Sequence, residues 1–374
     1  MSSCGRAAAP AGVARTDSAG VEIVTNAGPD HPLGWSLDSV LSLRSPSGQG
    51  GDTIGFLAAT DVSVLGDRII VLDASTPALF VYDTLGDVEG RYGRKGNGPG
   101  ELMMPGNVTP APGGGVAVLD LMNRRIERFD VTMAPSGSIS LRNVRLWGGG
   151  LGFTGDVPVL PERRVEGDVA FLDLVALGPT DTTVIATLRQ PPGKNVELKS
   201  CGMGFTGMPP IFSPMLAWTT EGGRGVLVSG GTTYDIDVYG TDGLSLRRRI
   251  RRDLPAVQAT KELAVRSLGE GMKIGIPGGT RVCDPEEVVE QRGFAPVIPP
   301  VTDVKVAPGG DIWVDRWVPK GDQSLLDVFD STGVYLGTLT GAEMPVVFLG
   351  EDRVIVRRTD EMDVPFLTIY RMVR

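Results

Sequence analysis

Histidine and cysteine are scarce in this sequence, which excludes several kinds of active site. The 374 residues include one histidine, His31, and three cysteines, Cys4, Cys201 and Cys283. These residues cannot assemble a zinc site of the usual histidine and cysteine type. Serine–histidine catalysis would depend on His31 alone, which we expect in a surface loop.

Long apolar runs and an excess of basic charge are also missing. No stretch approaches the roughly 18 to 20 consecutive apolar residues that span a bilayer. Lys and Arg total 36 against 45 for Asp and Glu, a net charge of -9, so we do not expect nucleic acid as a partner. The 41% hydrophobic content suffices for a buried core. The 52 glycines and 28 prolines favour many short strands over long helices.

A motif of four short strands recurs along the chain. In the two clearest copies, Asp73 and Asp83 correspond to Asp120 and Asp130, and each pair is 47 positions apart (120 − 73 and 130 − 83). Further copies begin at Asp156, Ser213, Asp303 and Pro345. Four strands in a period of about 40 to 50 residues are typical of a β-propeller blade. The sequence therefore predicts an all-β, six-bladed β-propeller.

The last copy supplies only three strands, so the ring needs a strand from elsewhere. We expect Ser39–Arg44 to complete the last blade, with Val21–Val24 beside it, because this exchange removes an exposed sheet edge. The predicted organisation is a flexible tether or signal remnant over residues 1–20 and a single propeller over 21–374. A helical lid insertion is expected at about 253–300, with Asp284 capping a helix.

The N-terminal sequence resembles the end of a bacterial lipoprotein signal. Small residues precede Cys4, and a run rich in alanine and proline follows it. On this interpretation Cys4 carries the lipid, and the protein is exported to the periplasm or anchored in the cell envelope. The alternative is an ordinary thiol in a frayed tail. No other membrane contact is expected.

The second copy of the motif resembles an NHL repeat. The resemblance depends on the glycine-rich entry Gly93–Leu102, the pair Asn123 and Arg124, and the strand ending at Asp130. Over about residues 36–374 the chain resembles exported bacterial proteins with six-bladed β-propellers, many of them lipoproteins. Such propellers include binding scaffolds, lactonases and lyases, so the resemblance implies the fold and leaves the activity open.

Three long connections between blades, at residues 92–105, 190–212 and 252–300, are expected on one face. The first residue of each inner strand should lie near that mouth, which gives a predicted ring of Asp61, Asn107, Asp156 and Asp303, with Ser213 in a fifth blade. Such oxygens suit Ca²⁺, Mg²⁺ or the hydroxyls of a ligand. The resemblance to propeller lactonases makes a metal conceivable. Alternatively, each side chain caps the backbone that enters its strand.

Cationic and thiol side chains occur in the same connections. Arg94, Asn123, Arg124 and Arg316 are candidates for binding an acidic ligand, and the alternative is that they tie adjacent blades together. Cys201 and Cys283 would form a disulfide between two loops of an exported protein, or remain two separate buried thiols. The basic run Arg247–Arg252 is interpreted as an exposed sheet edge protected by charge.

These patterns favour a monomeric, exported propeller that binds a small molecule or a protein and has no catalytic site. The alternative is a metal-dependent hydrolase or lyase of the lactonase type, which would use the oxygen ring.

Overall fold

Three strands at the start of the chain serve two different blades. They are β1 (Val13–Ser18), β2 (Val21–Asn26) and β3 (Ser36–Leu43). The computed structural model describes residues 12–43, 59–148, 150–167, 169–220, 225–241, 244–276, 279–359, 361 and 365–374. The predicted lipidation site, Cys4, lies outside these ranges. Because β1 pairs with β2, residues 13–18 form a strand rather than part of the flexible tether expected over residues 1–20.

The first three blades follow one another in chain order, each with its strands paired in sequence. Blade 1 consists of β4 (Ala59–Leu65), β5 (Arg68–Asp73), β6 (Ala78–Tyr82) and β7 (Val88–Tyr92). Blade 2 consists of β8 (Pro105–Pro110), β9 (Val116–Asp120), β10 (Arg125–Phe129) and β11 (Pro135–Ser140). Blade 3 consists of β12 (Gly152–Thr154), β13 (Val157–Glu166), β14 (Val169–Leu177) and β15 (Thr182–Gln190).

Blade 4 is flanked by two additional segments. A hairpin of β16 (Lys194–Leu198) and β17 (Met203–Met208) precedes it. The blade itself consists of β18 (Ala217–Thr219), β19 (Val226–Ser229), β20 (Asp235–Tyr239) and β21 (Leu246–Arg252). The second segment contains β22 (Val257–Gln258), α1 (Lys261–Leu268), β23 (Met272–Ile276), β24 (Gly279–Cys283), α2 (Pro285–Arg292) and β25 (Val297–Ile298). Residues 191–216 and 253–300 are called the insertion below.

Blades 5 and 6 complete the ring. Blade 5 consists of β26 (Val301–Val306), β27 (Ile312–Arg316), β28 (Leu325–Phe329) and β29 (Tyr335–Thr340). Blade 6 consists of β30 (Val347–Leu349), β31 (Arg353–Thr359) and β32 (Pro365–Val373), and β3 is its outer strand. β3 pairs antiparallel with β32 from Ser36 opposite Val373 to Leu43 opposite Leu367. The predicted closure of the ring by an N-terminal strand is confirmed.

Hydrophobic side chains between neighbouring blades hold the ring together. Each of six clusters among the described residues is shared by two consecutive blades, and the cluster of blade 1 and blade 6 closes the circle. The middle strand residues 69–72 are fully buried because both faces of their blade pack against a neighbour. The apolar runs in the sequence therefore reflect packing on both faces of each sheet.

β2 does not lie beside the closing strand, as predicted for Val21–Val24. It extends blade 4 by pairing in parallel with β21. The reason is that Val24 is fully buried there, and Asn26 hydrogen-bonds Gly333 O and Tyr335 N of blade 5. β21 is consequently not an exposed edge, which corrects the interpretation of Arg247–Arg252. Its arginines form ion pairs instead, including Arg249 with Asp237.

The insertion has a hydrophobic cluster of its own, joined by a disulfide between Cys201 and Cys283. α2 begins as predicted, because the Asp284 side chain accepts a hydrogen bond from Glu287 N. α1 covers eight residues of the helical insertion predicted at about 253–300. It ends at Leu268, and its C-cap is Gly269, whose φ of 59° favours glycine over residues with a side chain. Neither helix in the described ranges is long and apolar enough to cross a membrane.

Candidate functional site

A cavity of about 560 Å³ lies on the axis of the propeller and is lined by the inner strands of all six blades. Its wall is mixed in character. The polar or charged side chains include Asp61, Ser63, Asn107, Thr219, Thr220 and Lys305, and the apolar ones include Phe153, Trp218, Val306 and Phe348. A concave site of this size and composition is suited to a small molecule.

Asp61 and Asn107 form the acceptor side of this cavity and link blade 1 to blade 2. The Asp61 carboxylate accepts hydrogen bonds from Asn107 Nδ2 at 2.5 Å and from Val108 N at 2.9 Å. Asn107 Oδ1 and Ser63 Oγ are buried, and neither has a hydrogen-bond partner within the described ranges. The wall therefore contains polar atoms that form no hydrogen bond with the neighbouring side chains.

The electrostatics of the cavity are dominated by Asp61 and Lys305. Burial raises the pKa of Asp61 to about 6, against the opposing effects of the Val108 hydrogen bond and the Lys305 charge. Burial also raises the pKa of Asp303 in β26, where Lys305 again opposes the shift. The pKa of Asp315 is raised by burial and by the charge of Asp303, which it faces across the sheet. Carboxylates with raised pKa values thus lie at one end of the channel.

The predicted oxygen ring is only partly formed. Asp61 and Asn107 come together, and Asp303 occupies the equivalent position in blade 5, where its carboxylate accepts a hydrogen bond from Val304 N. Asp156 does not belong to the ring. It is exposed in the turn between β12 and β13, on the opposite face, because the inner strand of blade 3 is β12 rather than the segment that starts at Asp156. The inner strand of blade 4 likewise starts at Ala217, after Ser213.

The described residues contain no group of three or more His, Cys, Asp and Glu side chains that could share a metal ion. Asn107 also directs its Nδ2 group at the Asp61 carboxylate, an orientation that serves hydrogen bonding rather than ligation of a cation. The chemistry that this donor set supports best is recognition of hydroxyl or amine groups.

The four predicted residues for an acidic ligand do not form one site, although Asn123 and Arg124 line the same surface recess. Arg94 pairs with Glu101 and is largely exposed. Asn123 donates hydrogen bonds to Gly96 O and to the Asp120 carboxylate.

Arg124, whose φ is 50°, donates from Nη2 to the carbonyl oxygens of Leu141, Arg142 and Val144. Arg316 contacts Asp30 at 2.7 Å in a buried ion-pair network between blades 4 and 5. Arg316 is therefore removed from any exposed ligand site, and Asn123 and Arg124 tie loops together.

The insertion lies at the side of the mouth, against blade 5. The Phe212 ring packs edge-on against Trp317 at 5.5 Å between centroids, and Arg266 bonds Lys320 O and pairs with Asp322. Among the described residues, those that line the axial cavity include none from the insertion. The insertion therefore differs from the predicted lid, because its apolar side chains pack around the disulfide rather than over the channel.

Lys305, Ser63 and Trp218 line the cavity and were missed as site residues. The sequence pattern does indicate the positions of Lys305 and Ser63. Side chains alternate between faces along a strand, so Lys305 shares the axial face with Asp303, and Ser63 shares it with Asp61. For Trp218 the sequence offered no such guide, because the start of its strand was misplaced.

We expect Asp61→Asn to stabilise the protein more at pH 7.5 than at pH 4.5. Since the pKa of Asp61 is raised to about 6 from 3.8, its contribution to stability is complete below about pH 4. It is lost as the pH rises through about 6, because only the folded state holds the proton in this interval. The full shift of the pKa from 3.8 to about 6 corresponds to a change in the free energy of unfolding of up to about 3 kcal/mol. Urea denaturation at both pH values, with Asp156→Asn as a control, measures this effect, and an equal gain at both would contradict it.

Comparison with known proteins supports the architecture. A family model described as a 6-bladed beta-propeller matches residues 52–143. A Bacteroides fragilis protein described as exported shares the fold with a TM-score of 0.51 and 13% identity, over 94% of this chain and 100% of that one.

Two further solved structures are similar at lower scores. A gluconolactonase of Xanthomonas campestris has a TM-score of 0.42 and 12% identity, over 90% and 98% of the two chains. A virginiamycin B lyase of Staphylococcus aureus has a TM-score of 0.42 and 12% identity, over 91% and 100%. No curated protein matches the sequence. The ring of six blades and the family match together identify the chain as a six-bladed β-propeller protein.

Proposed function

We propose that this chain is an exported, non-catalytic propeller that binds a small polyhydroxylated molecule in its axial cavity. The observation that carries the proposal is that a half-buried carboxylate, Asp61, and a half-buried ammonium, Lys305, line the wall of one cavity. A hydroxyl group both donates and accepts hydrogen bonds, so a polyol or sugar can bond to both groups at once.

The aromatic part of the wall supports the same class of ligand. The Trp218 indole is half-buried in the cavity and offers a flat apolar face to the carbon skeleton of a sugar ring. Thr219, Thr220 and Ser63 add hydroxyl groups around it. Sites with an apolar wall and a few placed polar groups fix the orientation of a small ligand in this way.

Export is supported by two independent observations. The disulfide between Cys201 and Cys283 suits an oxidising compartment. The similar protein from Bacteroides fragilis is described as exported. Lipid anchoring through Cys4 and a monomeric state remain predictions from the sequence.

We expect Asp61→Asn to weaken ligand binding at least about tenfold, because a hydrogen bond to a charged group is worth about 1.5–3 kcal/mol. The measurement is saturation-transfer NMR with a panel of monosaccharides, sugar acids and polyols, followed by calorimetric titration of any compound that binds. Asp156→Asn is the matched control, since it makes the same chemical change in an exposed turn outside the cavity. Binding should be unchanged in this variant.

Two results would overturn the proposal. One is that no compound of the panel binds, and the other is that Asp61→Asn and Asp156→Asn bind equally well. Thermal melting with Ca²⁺, with Mg²⁺ and with a chelator tests the alternative of a metal-dependent hydrolase or lyase. A specific ion bound to the folded state raises the melting midpoint, and such a rise would favour that alternative.

A further inference from the structure

A second recess lies on the mouth face of blade 2, away from the axis. It has a volume of about 930 Å³ and is broad, because six of its nine lining residues are exposed. We call it the blade 2 groove, lined by Asn97, Met103, Met122, Asn123, Arg124, Arg125, Ser138, Ser140 and Arg142. Its shape differs from that of the axial cavity, since a small molecule bound here would stay largely exposed.

The floor of the groove is held by side chains of β10 and of the turn that precedes it. Arg125 donates hydrogen bonds to the carbonyl oxygens of Asn97, Gly98 and Glu101. Asn123 donates to Gly96 O at 2.9 Å. The glycine-rich connection that resembles an NHL repeat is thus fixed by the strands of the blade that follows it. A surface ordered before binding loses little conformational entropy when a partner binds.

Two buried carboxylates complete this support. The Asp120 carboxylate accepts hydrogen bonds from Met103 N and Met104 N, each at 3.0 Å. Glu127 accepts one from Gly100 N at 2.6 Å and pairs with Arg125. Both carboxylates are buried inside the blade and are not exposed to the groove.

The surface of the groove is cationic. Arg124 and Arg142 are exposed, and the three hydrogen bonds of Arg124 go to backbone carbonyl groups rather than to carboxylates. The Arg142 side chain has no hydrogen bond or ion pair with another described residue. On a chain with a net charge of -9, this patch attracts negative charge against the overall field.

Methionine side chains border the arginines. Met122 is 62% exposed in the turn between β9 and β10, and Met104 is 47% exposed beside it. Methionine adapts to irregular apolar partners, and exposed methionine and arginine are enriched in protein interfaces. The groove therefore combines anion recognition with a deformable apolar contact.

We infer that the blade 2 groove binds an acidic peptide segment of a partner protein, with its carboxylates on Arg124 and Arg142 and an apolar side chain on the methionines. The open shape favours an extended chain segment over a small ligand, and the unneutralised arginines favour carboxylates. This site is separate from the axial cavity and does not depend on the function proposed for it.

The test uses the full chain and a fluorescein-labelled seven-residue peptide with a central leucine and glutamate at the other positions. We expect saturable binding by fluorescence anisotropy at low ionic strength and none to the same peptide with glutamine in place of glutamate. Arg142→Glu should weaken binding at least about fivefold, because it reverses the charge at the contact. Salt should also weaken binding.

Arg189→Glu is the matched control, because Arg189 is an exposed arginine on β15 that lies outside the groove. It makes the same change in net charge and should alter binding less than about twofold. Equal melting midpoints of the two variants exclude unfolding as the cause. Absence of saturable binding to the wild-type protein, equal binding of both peptides, or equal loss in both variants would overturn the inference.

Discussion

Asp327→Ala is expected to lower the free energy of unfolding by about 3–5 kcal/mol, because it removes the one fully buried carboxylate that pairs with a buried arginine. Asp327 in β28 and the side chain of Arg252 in β21 are almost completely buried, and their atoms are 3.0 Å apart. Arg316 lies 3.4 Å from the other carboxylate oxygen. The two guanidinium groups share this buried carboxylate inside the interface of blades 4 and 5, and both also pair with the more exposed Asp30.

The cost is large because the network is saturated around Asp327. Tyr234 OH and Thr338 Oγ1 both donate hydrogen bonds to its carboxylate, at 2.8 and 2.6 Å. Burial, with the nearby Asp327 charge, raises the pKa of Tyr234 well above its usual value, so the phenol stays a neutral donor. Removing the carboxylate leaves the buried Tyr234 hydroxyl without its acceptor and takes one of two partners from the Thr338 hydroxyl, which also bonds Tyr335 OH. A buried unsatisfied group costs about 1–3 kcal/mol.

Urea denaturation at neutral pH measures this loss, and Asp322→Ala is the control. Asp322 pairs with Arg266, and both side chains are about half exposed (49% and 47%). Because exposed ion pairs contribute about 0–1 kcal/mol, the control should change stability little. Comparable losses in both variants would mean that the Asp327 network is no more important than a surface pair.

The network also explains why the N-terminal segment lies where it does. Asp30 bonds Arg252 and Arg316 at 2.8 and 2.7 Å, and the His31 ring packs edge-on against Tyr335 with ring centroids 4.9 Å apart. His31, expected as a surface residue, is indeed exposed, but its Nε2 lies 3.2 Å from Leu336 O of blade 5. These contacts place β2 on blade 4 before the chain reaches blade 6.

The sequence predicted the ring well where a repeat fixes the spacing. Asp73 and Asp120 end corresponding strands 47 residues apart, and both are buried at equivalent positions. The closing strand was predictable because blade 6 ends one strand short. Contacts such as Arg252 with Asp30, 222 positions apart, leave no periodic trace in the sequence and could not be predicted from it.

The errors occurred where a blade departs from the repeat. In blade 3 the inner strand is only three residues long, Gly152–Thr154, and it carries no aspartate at its start. There, the Thr220 side chain of blade 4 accepts a hydrogen bond from Phe153 N of blade 3. This bond links blades 3 and 4, as Asp61 links blades 1 and 2. The segment Asp156–Val159 resembles the start of an inner strand in sequence, but it belongs to a turn and to the second strand of the blade. Sequence similarity therefore misplaced Asp156, while backbone pairing identifies the true inner strand.

Removing the disulfide is the other change with a large expected effect. The bond joins residues 82 positions apart, and the chain-entropy model assigns such a loop about 4 kcal/mol of stabilisation. The double variant Cys201→Ala, Cys283→Ala should lose much of this stabilisation, and the loss should destabilise mainly the insertion. The blades have separate hydrophobic clusters, whereas both sulfurs lie within the cluster of the insertion.

Other contacts across the same junction limit the damage to a partial opening. The Glu287 carboxylate accepts hydrogen bonds from Lys199 N and Ser200 N at 2.7 and 2.9 Å, and Ile211 N donates to Gly293 O. Without the disulfide these exposed bonds must hold the two segments together. Hydrogen bonds near solvent are individually worth only about 1 kcal/mol, so the insertion should open locally while the ring stays closed.

Limited trypsin digestion with mass spectrometry tests this in the double variant and in the wild-type protein with and without a reductant. We expect at least about tenfold faster cleavage after Lys199 and Arg281 when the bond is absent, since a tenfold rise in the open population needs only about 1.4 kcal/mol. Cleavage after Arg68, in blade 1, is the internal control and should be unchanged. Faster cleavage at Arg68 as well would mean that the insertion and the ring unfold as one unit, and unchanged cleavage at all three sites would mean that the disulfide adds nothing to the stability of the insertion.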